Sequence, residues 1–454
     1  MSATPAAPAP SPEPAAPHLP YPPHLPHTAR RALQAGAAAL LLFVTGVGAA
    51  PPAAAAAPST VAVTRGPVSQ DLDPATVARL DAAITAAMKK DGIPGVTVGL
   101  WMPGRGDYVK SFGVADTASG TPMKTDLHTR VGSVTKTFTV TALLQLVDQG
   151  RVRLDAPVSA YLDGVPGGEK ITLRQLAAMR SGLYDYTSDP KFLDSLRTDP
   201  HRSYTPQQLL DYAFAHPANF APGAKWEYSN TNTVLLGLVI EKIGGQPLHT
   251  FLQQHVFGPL KLTSTSLPTG AALPEPHAQG YTTFTPGGTV TDATAWNPSW
   301  AWAAGAVVSD LDDLHTWAPA LADGRLLTPA TQAQRLRTGP VGVPGISYGL
   351  GIADVNGWLG HNGELPGYET IAAQLPQRKA TLVVIVNSDV DRGGSYSTTI
   401  GRAVTEIATP DHLWSLPSPS QTGENQNGNG NGNGNGNADG NADRKQEHRQ
   451  QDGH

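Results

Sequence analysis

The pattern of apolar and polar positions divides the chain into a mixed beginning, a helical middle and a β-rich end. Between Asp73, a residue type that caps helices, and Gly92, apolar side chains recur at helical spacing. Two runs rich in β-forming residues follow at 96–102 and 108–114, separated by a Pro/Gly turn. The pattern therefore predicts a first helix followed by a pair of strands.

Helical patterns dominate the middle of the chain. Residues 133–149 and 231–243 are apolar stretches that each end at a glycine. Thr205 opens another predicted helix, with Gln208 placed for a capping box. A further helix is predicted to start at Ser309.

β-Forming residues return near the end of the chain. Strands are predicted at 347–352, 369–375 and 381–387, and a closing helix at 396–407. The economical fold is α/β: one antiparallel sheet built from both chain ends and flanked by helices, with a mainly helical lobe inserted between them. A cleft between two such lobes is a common place for a binding or catalytic site.

The chain ends differ from this folded part in composition. Residues 1–57 contain a Pro-rich leader, an arginine pair, an apolar run and small Ala-x-Ala-type residues, which together predict a signal peptide and a secreted protein. The apolar run is short for a membrane span, so we expect no stable membrane anchor. Residues 58–72 are predicted to be a linker, 73–412 the folded domain and 413–454 a disordered Asn/Gly-rich tail.

Charge and cysteine content exclude several classes of function. The formal net charge is −5 over 454 residues and no basic cluster is evident, which argues against nucleic-acid binding. The chain contains no cysteine, so cysteine catalysis, thiolate metal sites and disulfide bonds are excluded. Apolar residues make up 40% of the chain, enough for a substantial core.

The strongest local motif is Ser133-Val-Thr-Lys136, at the start of a predicted helix. At positions i and i+3 the hydroxyl and the amine share one helix face. A desolvated lysine has a lowered pKa and can take the serine proton, and the helix N-terminus offers N–H groups to a developing oxyanion. Taken alone, the motif fits a capping serine and an exposed lysine equally well. Ser188-Asp-Pro-Lys191 also matches it, but Pro190 is expected to break the helix that would align that pair.

Two further motifs complete an ordered set. Tyr228-Ser-Asn230 is the only Y-x-N in the chain, and His361-Asn-Gly363 is the only H-x-G. Individually, Tyr228 could be an aromatic residue at a helix entry, Asn230 an N-cap and His361 a turn residue. Those interpretations leave the order S-x-x-K, Y-x-N, H-x-G unexplained.

This order of motifs resembles the penicillin-recognising serine hydrolases, which include D-alanyl-D-alanine carboxypeptidases, class C β-lactamases and related esterases. The similarity covers about residues 75–410. The stretches that look like those of secreted D-alanyl-D-alanine carboxypeptidases of actinomycetes are 131–136, 144–148, 180–187, 221–223, 228–232, 299–301, 304–306 and 348–351.

The resemblance implies a β-lactamase/DD-peptidase-like fold and acyl transfer through a serine-linked acyl-enzyme, with no metal or cofactor. Ser133 would attack the carbonyl, and Lys136 and Tyr228 would pass its proton to the leaving group, either of the two being the base. Asn230 would orient the substrate amide. His361 stands where other members carry a lysine, as a polar or cationic donor.

The resemblance also implies an oxyanion hole made by the backbone N–H groups of Ser133 and Glu364, beside Asn362 and Gly363 of the H-x-G motif. Trp300 would form one wall of the cleft, although a core position suits its aromatic ring equally well.

Three positions depart from the carboxypeptidase pattern. Ala353 replaces the basic residue that holds the substrate's terminal carboxylate, Asn362 replaces a threonine, and Glu364 adds a negative charge. Because a desolvated anion needs a compensating donor or cation, a free carboxylate should bind poorly.

The sequence therefore predicts a monomeric, secreted serine hydrolase of small peptides, esters or β-lactams, with peptidoglycan as a candidate partner. The first hypothesis is a D-alanyl-D-alanine carboxypeptidase-like peptidase acting on cell-wall-type D-amino acid peptides. The alternatives are an esterase, a D-amino acid amidase or aminopeptidase, and a class C-like β-lactamase. A non-catalytic penicillin- or peptide-binding relative is the third class, against which the intact motifs argue.

Overall fold

The computed structural model describes residues 72–390 and 394–417. The predicted signal peptide, nearly all of the predicted linker and most of the predicted Asn/Gly-rich tail lie outside these residues. Within them, a nine-stranded antiparallel sheet carries helices on both faces. No helix in this part of the chain combines the length and the hydropathy needed to cross a membrane.

The strands in chain order are β1 Gly95–Met102, β2 Gly106–Asp116, β3 Thr121–Pro122, β4 Thr129–Arg130, β5 Tyr281–Thr282, β6 Thr291–Asp292, β7 Val308–Ser309, β8 Gly339–Pro340, β9 Ile346–Tyr348, β10 Ala353–Val355, β11 Trp358–Leu365, β12 Tyr368–Leu375 and β13 Ala380–Val386. The helices are α1 Pro74–Asp91, α2 Thr135–Asp148, α3 Leu173–Ala177, α4 Pro190–Thr198, α5 Pro206–Phe214, α6 Asn230–Gly244, α7 Leu248–Leu252, α8 Gly258–Leu260, α9 Trp302–Gly305, α10 Leu311–Asp323, α11 Pro329–Arg335 and α12 Tyr396–Ala408. Short 3₁₀ turns at Gly132–Val134, Tyr186–Ser188 and Pro298–Trp300 border the site described below.

Strand β1 joins the two ends of the chain. It pairs antiparallel with β2 on one side and with β13 on the other, so that Val96 lies opposite both Phe112 and Val386. The strand order is β3-β2-β1-β13-β12-β11-β10-β9-β8. This order confirms the predicted antiparallel sheet made from both chain ends, with most helices inserted between β3 and β8.

Side-chain caps fix two of the predicted helix starts. The Asp73 carboxylate accepts the N–H of Thr76 at 2.9 Å at the start of α1. Thr205 and Gln208 form the predicted capping box of α5, each side chain accepting the other's backbone N–H. Both caps satisfy backbone donors that the first helical turn leaves without partners.

Two other local predictions are wrong. Ser309 does not begin a helix: it lies in β7, and Asp310 caps α10 by accepting the N–H of Asp313 at 2.9 Å. Pro190 does not break a helix but begins α4, because the first helical position needs no donor.

The two faces of the sheet pack against separate cores. Ala372 and Val383 face the helical lobe, which includes α2, α6 and α10. Their neighbours Ile371 and Val384 face the opposite core, which α1 and α12 cover. Alternation along each strand sends successive side chains to opposite faces.

The folded domain extends beyond the predicted boundary at 412. Trp414 is fully buried in the core covered by α1 and α12, and its backbone N–H donates to the Thr405 hydroxyl at 3.0 Å. The stretch assigned to the tail therefore contains a core residue at its second position.

Candidate active site

Ser133 lies in the 3₁₀ turn Gly132–Val134, immediately before α2 rather than inside it as predicted. Gly132 has φ +53°, a left-handed conformation that favours glycine, and a Cβ there would collide with the Glu364 nitrogen. A Cβ at Gly363 would collide with the Val131 carbonyl and lie 2.9 Å from the Ser133 nitrogen. These two glycines let the serine turn and β11 touch, which brings the backbone nitrogens of Ser133 and Glu364 together as the oxyanion hole requires.

The part of β11 beside Ser133 extends beyond its pairing with β10. Strand β10 pairs with β11 only as far as Gly360. Residues 361–365 continue β11 beyond that point, with β12 on their other side. The H-x-G motif thus lies within strand β11, beside the Ser133 turn.

Lys136 is the buried cation at the centre of the site. Its Nζ donates to Ser133 Oγ at 2.9 Å, to Asn230 Oδ1 at 2.7 Å and to the Ala304 carbonyl at 2.8 Å. Burial lowers the pKa of Lys136 to about 7, against the opposing effect of the Asp185 charge. Near pH 7 a large fraction of this amine is therefore neutral and able to take the serine proton.

The ring of Tyr228 packs against the Lys136 amine. The Lys136 Nζ lies 4.8 Å from the Tyr228 ring centroid, and the tyrosine hydroxyl is hydrogen-bonded to Ser133. Burial raises the pKa of Tyr228 well above 10. The hydroxyl therefore stays protonated, which suits a proton donor or relay.

Asp185 and Asn230 form a second layer behind the lysine. Asn230 accepts the Lys136 bond, while its own amide and backbone N–H donate to Asp185. The Asp185 carboxylate also accepts the Thr187 hydroxyl at 2.8 Å. The sequence motifs do not single out Asp185 as a site residue, although it lies in the 180–187 stretch that carries the family resemblance.

His361 is neutral. It is 3% exposed, and its Nε2 lies 3.1 Å from the Tyr348 hydroxyl. Burial and the Lys136 charge lower the pKa of His361 to about 4. The cationic form considered from the sequence is thereby corrected to a neutral polar group. Tyr348, which contacts it, is a second site residue that the sequence motifs do not single out.

The remaining predicted residues lie around the rim of the cleft. Trp300 both lines the cleft and packs against the lobe core, so its two predicted roles coincide. Asn362 and Glu364 line the cleft too, and their cross-strand partners are Ile371 and Glu369 on the α12 side of the sheet.

Ala353 is not a cleft residue. It lies in β10, where its side chain packs against the core covered by α1 and α12. The prediction that position 353 faces the substrate carboxylate is wrong, because strand alternation turns this side chain to the other face of the sheet.

The cleft has a volume of about 840 Å³. Its described lining includes the acidic residues Asp185, Glu364 and Asp389 and contains neither lysine nor arginine. One wall is apolar and consists of Phe192, Leu193, Leu196, Phe284, Trp300 and Leu365. No group of three or more His, Asp or Glu side chains among the described residues is arranged to hold a metal ion.

The fold, the serine turn and the buried lysine define a serine hydrolase. The chain matches the Beta-lactamase family over residues 80–404 and belongs to that family. Penicillin-binding proteins and β-lactamases are among its relatives, which confirms the predicted kinship with penicillin-recognising enzymes.

Two solved structures and one curated protein illustrate the range of these relatives. The D-stereospecific amidohydrolase from Streptomyces sp. is 35% identical, with a TM-score of 0.66 over 73% of this chain and 98% of that one. The D-amino acid amidase from Ochrobactrum anthropi SV3 is 30% identical, with a TM-score of 0.65 over 73% of this chain and 99% of that one. Esterase EstB of Burkholderia gladioli is 32% identical over 43% of this chain and 52% of its own length. The chain spans about half to two thirds of the length of the first curated relatives. It covers 52% of EstB and 66% of the putative penicillin-binding protein PbpX of Bacillus subtilis.

Proposed function

We propose that this protein is a D-stereospecific hydrolase of amides and esters that prefers substrates with a free amine and no terminal carboxylate. The observation that carries the proposal is the charge of the cleft, whose described lining holds the carboxylates of Asp185 and Asp389 and neither lysine nor arginine, Lys136 being buried behind Ser133. An excess of negative charge along the lining concentrates cationic ligands and disfavours anions. An ammonium group is therefore favoured, and a free carboxylate is disfavoured.

Support for the D configuration comes from the two structural relatives named for D-amino acid substrates. A D-alanyl-D-alanine carboxypeptidase would need a cation to hold the terminal carboxylate, and the described lining offers none. That more specific activity stays a prediction. Export through residues 1–57 stays a proposal as well.

In the proposed reaction, Ser133 Oγ attacks the substrate carbonyl while its proton passes to the neutral Lys136 amine. The oxyanion is held by the backbone N–H groups of Ser133 and Glu364. The bond to the leaving amine or alcohol then breaks as the leaving group takes a proton from Lys136 through the Tyr228 hydroxyl. Water adds to the acyl-enzyme by the same path, returning a proton to Ser133 and releasing the acid.

The test is a hydrolysis panel containing D-phenylalanine amide, its L enantiomer, its N-acetyl derivative, D-Ala-D-Ala and nitrocefin. We expect kcat/KM for D-phenylalanine amide to exceed those for the L amide and the N-acetyl amide by at least about tenfold, the worth of one charge-assisted hydrogen bond. Ser133→Ala should abolish all turnover. A preference of the wild type for D-Ala-D-Ala or nitrocefin would refute the proposal.

A fluorescent fluorophosphonate provides an independent check on the nucleophile. We expect it to label Ser133 and to leave Ser188 unmodified, because Ser188 lies in the Tyr186–Ser188 turn and Lys191 in the following helix α4. Equal labelling of the Ser133→Ala variant would contradict the assignment.

A further inference from the structure

Asp389 lines the same cleft as Ser133. It follows the last strand β13, and its Oδ1 accepts the N–H of Gly367 in the turn between β11 and β12 at 2.8 Å. The Thr282 hydroxyl also donates to this carboxylate. Both partners are neutral donors, so no cation compensates the charge through these contacts.

The path from Ser133 to Asp389 runs along an apolar wall. Gly363 touches the Ser133 turn, and Leu365 and Pro366 line the cleft between Gly363 and Gly367. The four steps along the chain from Gly363 to Gly367 span at most roughly 13 Å. Apolar side chains of α4 and Trp300 line the same cleft.

Phe284 belongs to the same wall and is tied to the same carboxylate. The Thr282 hydroxyl that donates to Asp389 also accepts the Phe284 N–H at 3.0 Å. Arg197 stacks over the Phe284 ring at 4.6 Å from its centroid, but it is not among the residues that line the cleft.

We propose that Asp389 is a specificity residue that binds a terminal ammonium on the substrate's acyl side chain, selecting D-lysine-type acyl groups over uncharged ones of the same length. This inference rests on the proposed function for its acyl-enzyme site. A carboxylate beside apolar lining residues favours a long aliphatic stem carrying a cation, because the stem buries apolar surface and the cation can pair with Asp389.

The reach of an extended lysyl side chain lies within this upper limit. Five bonds of about 1.5 Å carry the ammonium roughly 6 Å from the α-carbon. The attacked carbonyl adds about 3 Å from the serine oxygen before attack. A shorter cationic side chain would stop beside the apolar wall, where an unpaired charge is costly.

The energetic state of Asp389 agrees with this role. Burial raises its pKa to about 7, and the Glu369 charge acts in the same direction. A ligand cation beside the carboxylate would relieve both effects.

The test compares the binding of D-lysine amide and D-norleucine amide to the full chain carrying Ser133→Ala, which cannot turn either ligand over. The two ligands share the α-amine and the four-carbon stem and differ in the terminal ammonium. We expect calorimetry to give a Kd for D-lysine amide at least about tenfold lower than for D-norleucine amide. A Kd ratio near one, or no binding of either ligand, overturns the proposal.

The double variant Ser133→Ala/Asp389→Asn assigns the preference to Asp389. Asparagine keeps an oxygen that can accept the Gly367 N–H but removes the charge, so we expect the Kd ratio to fall to about one. The matched control Ser133→Ala/Asp163→Asn removes an exposed carboxylate outside the cleft lining and should keep the ratio. A preference that survives Asp389→Asn, or equal weakening of both ligands, means that Asp389 only holds the turn.

Failure of the proposed function has a different readout. If the wild-type protein hydrolyses neither amide while the Ser133→Ala protein still binds D-lysine amide preferentially, the proposed function fails and the Asp389 assignment stands. If both amides are hydrolysed without a difference in Kd, the assignment fails and the proposed function stands.

Discussion

Asp185 holds Asn230 at two points. Its Oδ1 accepts the Asn230 backbone N–H at 3.1 Å, and its Oδ2 accepts the Asn230 side-chain N–H at 3.2 Å. Because the amide nitrogen is committed to the carboxylate, the amide oxygen is turned towards Lys136 Nζ, 2.7 Å away. Asp185 is therefore a positioning residue that acts on Ser133 through Asn230 and Lys136.

Replacing Asp185 by asparagine should lower kcat/KM about 10- to 100-fold, the worth of a hydrogen bond to a charged group. The Asp185 charge raises the pKa of Lys136. Its removal should therefore also shift the rise of activity with pH to lower pH. Asp189→Asn, which changes the cap of α4 four residues later, should leave that rise in place. A lower rate with an unmoved pH profile would indicate a purely structural role.

Gly363→Ala should lower kcat at least about 100-fold, the cost of losing one oxyanion-hole donor. An added Cβ would collide with the Val131 carbonyl and push the serine turn away from β11. Gly270→Ala is the matched control, since nothing lies within 4 Å of its added Cβ. Near wild-type turnover by Gly363→Ala, with unchanged melting temperature, would show that this contact does not build the hole.

The pH dependence of turnover should report Lys136. Its pKa is lowered to about 7, so the neutral amine that accepts the serine proton is depleted below that pH. With an uncharged ester substrate, kcat/KM should rise with pH through about pH 7 and level off above it. The measurement is a pH–rate profile between pH 5 and pH 9.

His361→Gln separates the lysine from the histidine in that profile. Because the pKa of His361 is lowered to about 4, the histidine does not change charge near pH 7. The variant should keep the inflection near pH 7, whatever its rate. Loss of that inflection would assign the titration to His361 instead.

Trp414→Ala should destabilise the fold by about 3–5 kcal/mol, as for other large aromatic side chains removed from cores. Trp414 is fully buried, whereas Val290 is 54% exposed and makes Val290→Ala a suitable control. Urea denaturation measures both free energies of unfolding. A loss below about 1 kcal/mol for Trp414→Ala, the size of an ordinary surface substitution effect, would show that Trp414 does not contribute to the folded core.

The local sequence was enough to predict the helix caps, strands and helices that depend on short-range interactions along the chain. The cap at Asp73, the capping box of Thr205 and Gln208, the strands predicted at 369–375 and 381–387 and the closing helix follow from short-range patterns, and the structure confirms them. The strand predicted at 347–352 is wrong, because residues 349–352 lie between β9 and β10. The order of the three motifs was enough to indicate the family, because a resemblance over most of the chain does not depend on knowing any contact.

Only the tertiary structure decided which side chains face one another and in what charge state. Ala353 was assigned to the substrate and lies in the opposite core, while Asp185 and Asp389 were not assigned and line the cleft. The neutrality of His361 and the lowered pKa of Lys136 arise from burial by elements far away in sequence. Burial and electrostatic fields sum over neighbours in space, so a sequence pattern that reports only neighbours along the chain does not contain them.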